Sequence, residues 1–172
     1  YKNEPTSLNG EWIFVPSAFV TEIPPTYSFI KVPQTWKNQI VNNNPLETEG
    51  FGTYFLKIKL DSFARFFALK IVYINTSCKI FVNQKEVFSD GRISEKKSEA
   101  VPNQHPGIVP LGLQKDSIIL AIQVSNYHFK KAGIVRPIMF GETSTLIGIR
   151  ENLIFWDIFL CGALLMFALY HF

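Results

Sequence analysis

The sequence predicts an all-β domain, built as a two-sheet β-sandwich, followed by one transmembrane α-helix. Between Trp12 and Phe140, apolar residues recur at every second position in short runs separated by Pro, Gly and Asn, which is the pattern of antiparallel strands. The chain then ends in a continuous apolar run over residues 153–172. Because no long helical period precedes that run, we expect strands, turns and loops throughout the domain before it.

About eight strands are expected at a spacing typical of sandwiches. They cover residues 8–15, 27–32, 53–60, 66–73, 78–83, 86–88, 117–126 and 137–140, with the fifth and sixth forming a hairpin. The clearest alternation lies in residues 53–60 and predicts one buried and one largely wet face. The buried face would carry Tyr54, Leu56, Ile58 and Leu60, and the wet face Thr53, Phe55, Lys57 and Lys59. Residues 37–49 and 89–107 are predicted as polar loops, and a loop as long as the second is uncommon without a function.

The apolar run has the length and composition of a membrane span. About 20 residues at ~1.5 Å rise cross the ~30 Å hydrocarbon layer of a bilayer. Phe155 and Trp156 lie near one end and Tyr170 near the other, where aromatic side chains meet the headgroups. The alternative is a buried helix of a soluble core, which usually has a polar face that this run lacks. Asp157 lies about one turn inside the run, where an interfacial position is favoured over a buried functional carboxylate.

The apolar run divides the chain into residues 1–146, a β-sandwich domain, and residues 147–172, a linker and a transmembrane helix. Charge alone leaves the orientation in the membrane open. The chain begins at Tyr1 and ends within the apolar run, and we expect it to be a segment of a longer protein. The net charge of +3 is dispersed, which argues against nucleic acid as a partner. Cys78 and Cys161 lie in segments that are not expected to meet, so no disulfide is predicted.

The residues of catalytic and metal sites are not arranged in any recognisable pattern. The three histidines, His105, His128 and His171, are far apart and lack nearby Cys or paired carboxylates, so neither a metal site nor a catalytic site is predicted. No nucleophile elbow, phosphate-binding loop or dinucleotide fingerprint occurs, and no cofactor is expected. Residues 75–77 match an N-glycosylation acceptor, a three-residue match that is common by chance.

Six short motifs, taken in order, resemble a known domain. They are Leu8-Asn-Gly-Glu-Trp12, Val32-Pro-Gln-Thr-Trp36, Gly50-Phe-Gly-Thr-Tyr-Phe55, Ile80-Phe-Val-Asn83, Val124-Ser-Asn126 and Gly133-Ile-Val-Arg-Pro-Ile138. This order resembles the sugar-binding, galactose-binding-like jelly-roll domain of family 2 glycoside hydrolases. The chain departs from that pattern at Gln84, where a glycine usually follows Val-Asn. With the apolar run behind it, the domain resembles the extracellular jelly roll of bacterial receptors with seven transmembrane helices and diverse intracellular signalling modules.

The resemblance implies a ligand-sensing domain on the periplasmic or extracellular side of the cell membrane, without enzymatic activity of its own. Its ligand would be a carbohydrate or a related small molecule. Its other partners would be the lipid bilayer, further transmembrane helices and a cytoplasmic effector of the same protein. Two alternatives stay open: the non-catalytic sugar-binding module of a family 2 glycosidase, and a ligand-free platform that forms a homodimer or docks a partner.

In a jelly roll with this motif order, residues 89–107 and 126–136 should approach each other, because the strands before them are expected to be neighbours. Arg and His at that rim could donate to sugar hydroxyls, and an aromatic ring could pack against the sugar. The expected ligand-binding residues are Trp36, Arg92, His105, Tyr127, His128 and Arg136. Structural alternatives are that Trp12 and Trp36 plug the ends of the sandwich and that Arg136 ties its loop to the sheet. Asn126 is expected to hold a loop backbone through its amide.

Overall fold

The computed structural model describes residues 4–171 and confirms a β-sandwich followed by a single apolar helix. Phe172, the last residue of the predicted span, lies outside the described residues. The two large sheets are antiparallel throughout and pack face to face, as in other sandwiches. The four-stranded sheet has the order β1-β12-β7-β10, and the six-stranded sheet the order β3-β2-β6-β11-β8-β9.

Twelve strands occur within residues 4–171. Their bounds are β1 Thr6–Ser7, β2 Gly10–Pro16, β3 Ser28–Val32, β4 Ile40–Val41, β5 Asn44–Pro45, β6 Gly50–Lys59, β7 Arg65–Ile71, β8 Ser77–Val82, β9 Lys85–Asp90, β10 Gly107–Gln114, β11 Ser117–Asn126 and β12 Met139–Glu142. A 3-10 turn covers Trp36–Asn38, and the α-helix α1 covers Thr143–His171. The predicted polar loop 37–49 therefore contains a small hairpin, β4 with β5.

The core lies between the inner faces of the two sheets. Leu69 from β7, Ile80 from β8 and Ile122 from β11 are completely buried there. Trp12 closes the core beside β3, and its indole N–H donates to the Leu8 carbonyl at 2.9 Å. Strand β11 places Ile118, Leu120, Ile122 and Val124 in the core, because alternate side chains of a strand point to the same side of the sheet. From Leu120 onward its other face is buried as well.

The prediction for β6 was wrong over the first half of the strand. Thr53 and Phe55, expected on a wet face, are fully buried, whereas Lys57 and Lys59 are exposed as expected. The segment that follows β2 covers the outer face here: the Thr53 hydroxyl donates to the Ala18 carbonyl at 2.7 Å and accepts from the Val20 N–H at 3.2 Å. An overlying loop can thus bury the second face of a strand whose own sequence alternates.

Strand β10 was not predicted, since its sequence contains Pro110 and Gly112, two residues that usually interrupt strands. It nevertheless pairs with β7 along its full length, with a register shift between Pro110 and Gly112. Gly112 takes a positive φ of 78° there, as residues at bulges often do. The bulge accommodates both residues and leaves the rest of the ladder intact.

The predicted β8–β9 hairpin is confirmed although it lacks the expected glycine. Asn83 and Gln84 form a two-residue turn with φ of 47° and 70°, the left-handed conformation that such hairpins require. The Asn83 side-chain oxygen also accepts from the Ile119 N–H at 2.9 Å. This contact with β11 helps to hold a turn in which Gln84 is a poor substitute for glycine.

Helix α1 begins at Thr143, ten residues before the apolar run. Its first turns pack against β7, β12 and β10, and Leu146 is buried there at 1% exposure. The rest of the helix is exposed, and α1 is the single helix within residues 4–171 that is long and apolar enough to cross a membrane. The proposed division between residues 146 and 147 falls inside these first turns and stays a prediction.

Candidate functional site

The two segments expected to meet, residues 89–107 and 126–136, do lie against each other. The Tyr127 hydroxyl donates to the Glu95 carbonyl at 2.6 Å. The Gln104 side-chain amide donates to Asn75 Oδ1, and the Asn75 side-chain amide in turn donates to the Lys131 carbonyl. The strands before the two loops, β9 and β11, are not direct neighbours as expected, because β8 pairs with both and lies between them. Both pairings are antiparallel, so the loops that leave β9 and β11 still share one end of the sandwich.

Asn75 is the residue that joins the two loops. It lies between β7 and β8, is 4% exposed, and its side-chain amide is bonded through both nitrogen and oxygen. Its backbone N–H and carbonyl also pair with the carbonyl and N–H of Gly133, each at 3.2 Å. Because this amide nitrogen is enclosed and bonded, Asn75 is not available as a glycan acceptor in the folded domain, despite the match at residues 75–77.

A cavity of about 500 Å³ opens between the two loops, and we call it the loop cavity. It is lined by Tyr73, Asn75, Gln104, His128, Phe129, Lys130 and Lys131. Arg136 lies at its edge: its Nε donates to the Tyr73 hydroxyl at 3.1 Å, and its guanidinium carbon is 5.8 Å from the Tyr73 ring centroid. The loop cavity has the size of an ordinary small-molecule site.

Two of the six predicted site residues therefore belong to this region, His128 in the lining and Arg136 through Tyr73. Tyr127 is next in sequence, but its hydroxyl is already bonded to Glu95. Removal of its ring from water, with the carboxylates of Glu95 and Glu49 as weaker causes, raises the pKa of Tyr127. The hydroxyl thus stays protonated and tied to the loop.

Arg92 and His105 hold the longer loop together instead of lining the cavity. Arg92 Nε donates to the Glu99 carbonyl at 2.8 Å, and its backbone pairs with Val101. His105 contacts Asp90 twice, with ring Nδ1 3.0 Å from Oδ1 and its backbone N–H 2.7 Å from Oδ2. Both residues are exposed, and both shape the loop that forms one wall of the site.

Trp36 is placed elsewhere, in the core. It is 2% exposed, and its indole N–H donates to the Tyr54 hydroxyl at 2.5 Å. One part of it reaches a second cavity of about 340 Å³, lined also by Phe51 and Leu46. This position agrees with the structural alternative, in which Trp36 plugs the end of the sandwich.

Asn126, at the end of β11, performs the role expected for it. Its side-chain amide donates to the Thr48 carbonyl at 2.7 Å and to the Phe129 carbonyl at 2.8 Å. Its Oδ1 accepts from the Phe129 N–H at 3.3 Å. These contacts fix the turn that carries His128 into the loop cavity.

Six residues that line the loop cavity were not predicted from the sequence: Tyr73, Asn75, Gln104, Phe129, Lys130 and Lys131. A signal was present for two of them, because the adjacent Lys130 and Lys131 follow His128 in a loop and exposed loop residues often bind ligands. Tyr73, Asn75 and Gln104 come from other parts of the chain. Their meeting depends on how β7, β8 and the loop after β9 are placed in space.

Burial of Cys78 and Tyr54 should make the folded domain less stable at high pH. Burial, and secondarily the charge of Asp90, raises the pKa of the Cys78 thiol from 9.0 to about 12, and burial raises the pKa of Tyr54. Above pH ~9 the unfolded chain releases the Cys78 proton while the folded chain retains it, so the free energy of unfolding should fall by up to ~1.4 kcal/mol per pH unit from this group alone. Guanidinium unfolding of the full chain in detergent at pH 8, 9.5 and 10.5 measures the fall, and Cys78→Ala should reduce its slope. Equal slopes in the parent and in Cys78→Ala would show that the Cys78 thiol does not cause this loss of stability.

No protein-family model matches the chain, and no curated protein matches it. Solved structures of glycoside hydrolases do match. A Faecalibacterium prausnitzii β-glucuronidase superposes with a TM-score of 0.60 at 15% identity over 80% of this chain and 31% of its own. A GH2 β-galacturonidase from Eisenbergiella tayi bound to galacturonate superposes with a TM-score of 0.57 at 15% identity, over 81% of this chain and 24% of its own.

These likenesses show the fold alone, because the identities are so low. The sandwich has the fold of the sugar-binding-like domains of GH2 enzymes. The chain spans less than a third of the length of either enzyme.

Proposed function

We propose that this chain is the non-catalytic, extracytoplasmic sensing part of a bacterial membrane signalling receptor, and that it binds a carbohydrate or a related small molecule. The observation that carries the proposal is the loop cavity, formed where residues 89–107 meet residues 126–136. The fold supports the ligand class, since it is shared with sugar-binding-like domains of GH2 enzymes. Fold likeness is weak support for function without a site, and the cavity supplies the candidate site.

The lining of the loop cavity suits a sugar. His128, Lys130 and Lys131 bring polar side chains to the opening, where they can donate to hydroxyl groups. Phe129 is 50% exposed beside them and gives an apolar surface against which the hydrophobic face of a sugar ring can pack. Hydrogen-bond donors and an adjacent aromatic surface are both features that a sugar ring can use.

The path from the cavity to the helix is short. Tyr73 lines the cavity and follows β7 by two residues. Strand β7 is in turn the strand that α1 contacts most extensively, around the buried Leu146. A ligand held between the loops would favour one position of the end of β7, and through it one position of the helix. This is how a binding event can bias a two-state receptor.

In this proposal α1 crosses the bilayer as the first of several transmembrane helices. The exposure of its apolar side chains after Leu146 supports this role. Lipid and the further helices of the same protein would cover those side chains. The sandwich would lie outside the cytoplasm, and a cytoplasmic effector domain would receive the signal.

The test uses the full chain in nanodiscs of zwitterionic lipid, probed with a glycan array. We expect specific binding by the parent chain, and a 5- to 30-fold weaker affinity for both His128→Ala and Arg136→Ala, corresponding to about 1–2 kcal/mol. Because both side chains are exposed, the thermal stability of each variant should match the parent within about 1 kcal/mol. Lys115→Ala, in the exposed turn between β10 and β11, is the control and should bind like the parent. A parent chain that binds no glycan, or two variants that bind as the parent does, would contradict the proposal.

A further inference from the structure

We infer that the ligand of the loop cavity is negatively charged, and that its chemical class is a sugar bearing a carboxylate. This inference rests on the proposed function and deepens it by naming the ligand class. Its physical basis is the set of charges and hydrogen-bonding groups that the rim of the cavity leaves without partners.

Three cations lie at the rim without an acidic partner. Lys130, Lys131 and Arg136 are exposed, and none of them forms an ion pair within residues 4–171. Three acids of the surrounding loops already have partners, and Glu95 is placed beside Tyr127. Asp90 contacts His105, Glu99 contacts Lys96, and Glu49 contacts Lys97.

The charge of these three cations equals the net charge of the whole chain. The net charge of the whole chain is +3, so that outside these three cations positive and negative side chains balance. Like charges held close together repel one another. A bound anion would remove that repulsion, whereas a neutral ligand would not.

Most of the neutral polar groups that line the cavity already form hydrogen bonds within the protein. Both ends of the Asn75 amide and the nitrogen of the Gln104 amide are bonded within the protein, and the Tyr73 hydroxyl accepts from Arg136. Apart from the Gln104 side-chain oxygen and the ring of His128, the side-chain groups left for a ligand are the donors of the three cations and the Tyr73 hydroxyl proton.

This excess of donors favours a carboxylate over a hydroxyl. A sugar hydroxyl is both a donor and an acceptor, so it needs acceptors in its site, whereas an ionised carboxylate only accepts. Hydrogen bonds between Lys or Arg and a carboxylate are also about twice as strong as those between neutral groups. Phe129 is still available to pack against the ring that carries the carboxylate.

The experiment compares two forms of one trisaccharide, with its carboxylates either ionised or converted to neutral methyl esters. Trigalacturonate and its fully methyl-esterified form are titrated by calorimetry into the full chain in nanodiscs of phosphatidylcholine, a lipid without net charge. We expect the acid to bind at least tenfold more tightly than the ester at 50 mM NaCl. That preference should shrink at 500 mM NaCl, because salt screens exposed charges.

Two double variants with the same change in charge locate the site. Lys130→Gln with Lys131→Gln should weaken binding of the acid about tenfold and leave binding of the ester unchanged. The control is Lys85→Gln with Lys115→Gln, and it should bind both ligands like the parent. Both lysines are exposed at the other end of the sandwich, Lys85 at the start of β9 and Lys115 in the turn between β10 and β11.

The outcomes separate this inference from the function on which it rests. The inference is overturned if the parent binds acid and ester equally, or if the Lys130/Lys131 double variant prefers the acid as strongly as the parent does. In either case, binding of neutral glycans by the parent would still support the proposed function. If the parent binds neither trisaccharide and no member of the glycan array, both fail together.

Discussion

Replacing Gly133 by alanine should lower the free energy of unfolding by about 3–4 kcal/mol. Gly133 has a φ of +89°, and a Cβ there would lie 2.5 Å from the Tyr54 hydroxyl and 2.6 Å from the Trp36 indole nitrogen. The backbone conformation costs an L-residue about 1–2 kcal/mol, and overpacking adds about 1–3 kcal/mol. Neither ring can move aside easily, because both are buried and bonded to each other.

Thermal unfolding of the full chain in detergent, followed by near-ultraviolet circular dichroism, measures this effect. A loss of that size corresponds to a fall in Tm of roughly 10–15 °C for a domain of this length. Gly107→Ala is the matched control, because a Cβ at Gly107 meets no atom within 4 Å and its φ lies outside the positive range. Similar Tm values for the two variants would show that Gly133 is not confined by Trp36 and Tyr54.

Leu146→Ala should destabilise the sandwich by about 3 kcal/mol, although Leu146 belongs to the helix. Its side chain is 1% exposed, in the first turns of α1 where the helix packs on the four-stranded sheet. Truncating a buried leucine removes the hydrophobic contact and leaves a cavity, which costs about 2–5 kcal/mol in well-packed sites. The size of the loss measures how firmly the helix is attached to the sandwich.

Leu164→Ala is the control on the same helix, since Leu164 is 62% exposed beyond the sandwich and makes no contribution to that packing. Denaturant unfolding in detergent, followed by tryptophan fluorescence, should show a lower midpoint for Leu146→Ala with the midpoint of Leu164→Ala close to the parent. Equal midpoints in the two variants would contradict the docking of the helix on the sheet. They would also remove the physical path from the loop cavity to the membrane that the proposed function uses.

The two variants test opposite ends of one route. Gly133 pairs with Asn75 at the floor of the loop cavity, and Leu146 packs where α1 meets the sheet that contains β7. Residues 72–74 and strand β7 connect them along the chain. The proposed function needs this segment to be rigid enough to transmit a displacement, and the expected energies are those of a firmly packed connection.

Local pattern predicted most of the fold, because alternation is a property of neighbouring residues. Strand β11 has the bounds predicted for it, Ser117–Asn126, since every second residue from Ile118 to Val124 is apolar and neither Pro nor Gly interrupts the run. Strand β10 was missed for the opposite reason: Pro110 and Gly112 disrupt its local pattern, and pairing with β7 through a bulge restores the strand. The order of six short motifs was sufficient to predict the jelly-roll sandwich and the approach of the two loops.

The sequence by itself determined the β-sandwich, the apolar helix and the loops that would meet, since each depends on periodicity or on the order of strands along the chain. Only the tertiary structure decided which side chains form the site. It buried Trp36 against Tyr54, bonded Arg92 and His105 within their own loop, and brought Tyr73, Asn75 and Gln104 to His128. The physical reason is distance along the chain. A residue's nearest neighbours in sequence set its secondary structure, whereas the hydrogen-bond partners of its side chain come from distant segments, which only the packing of the two sheets brings near.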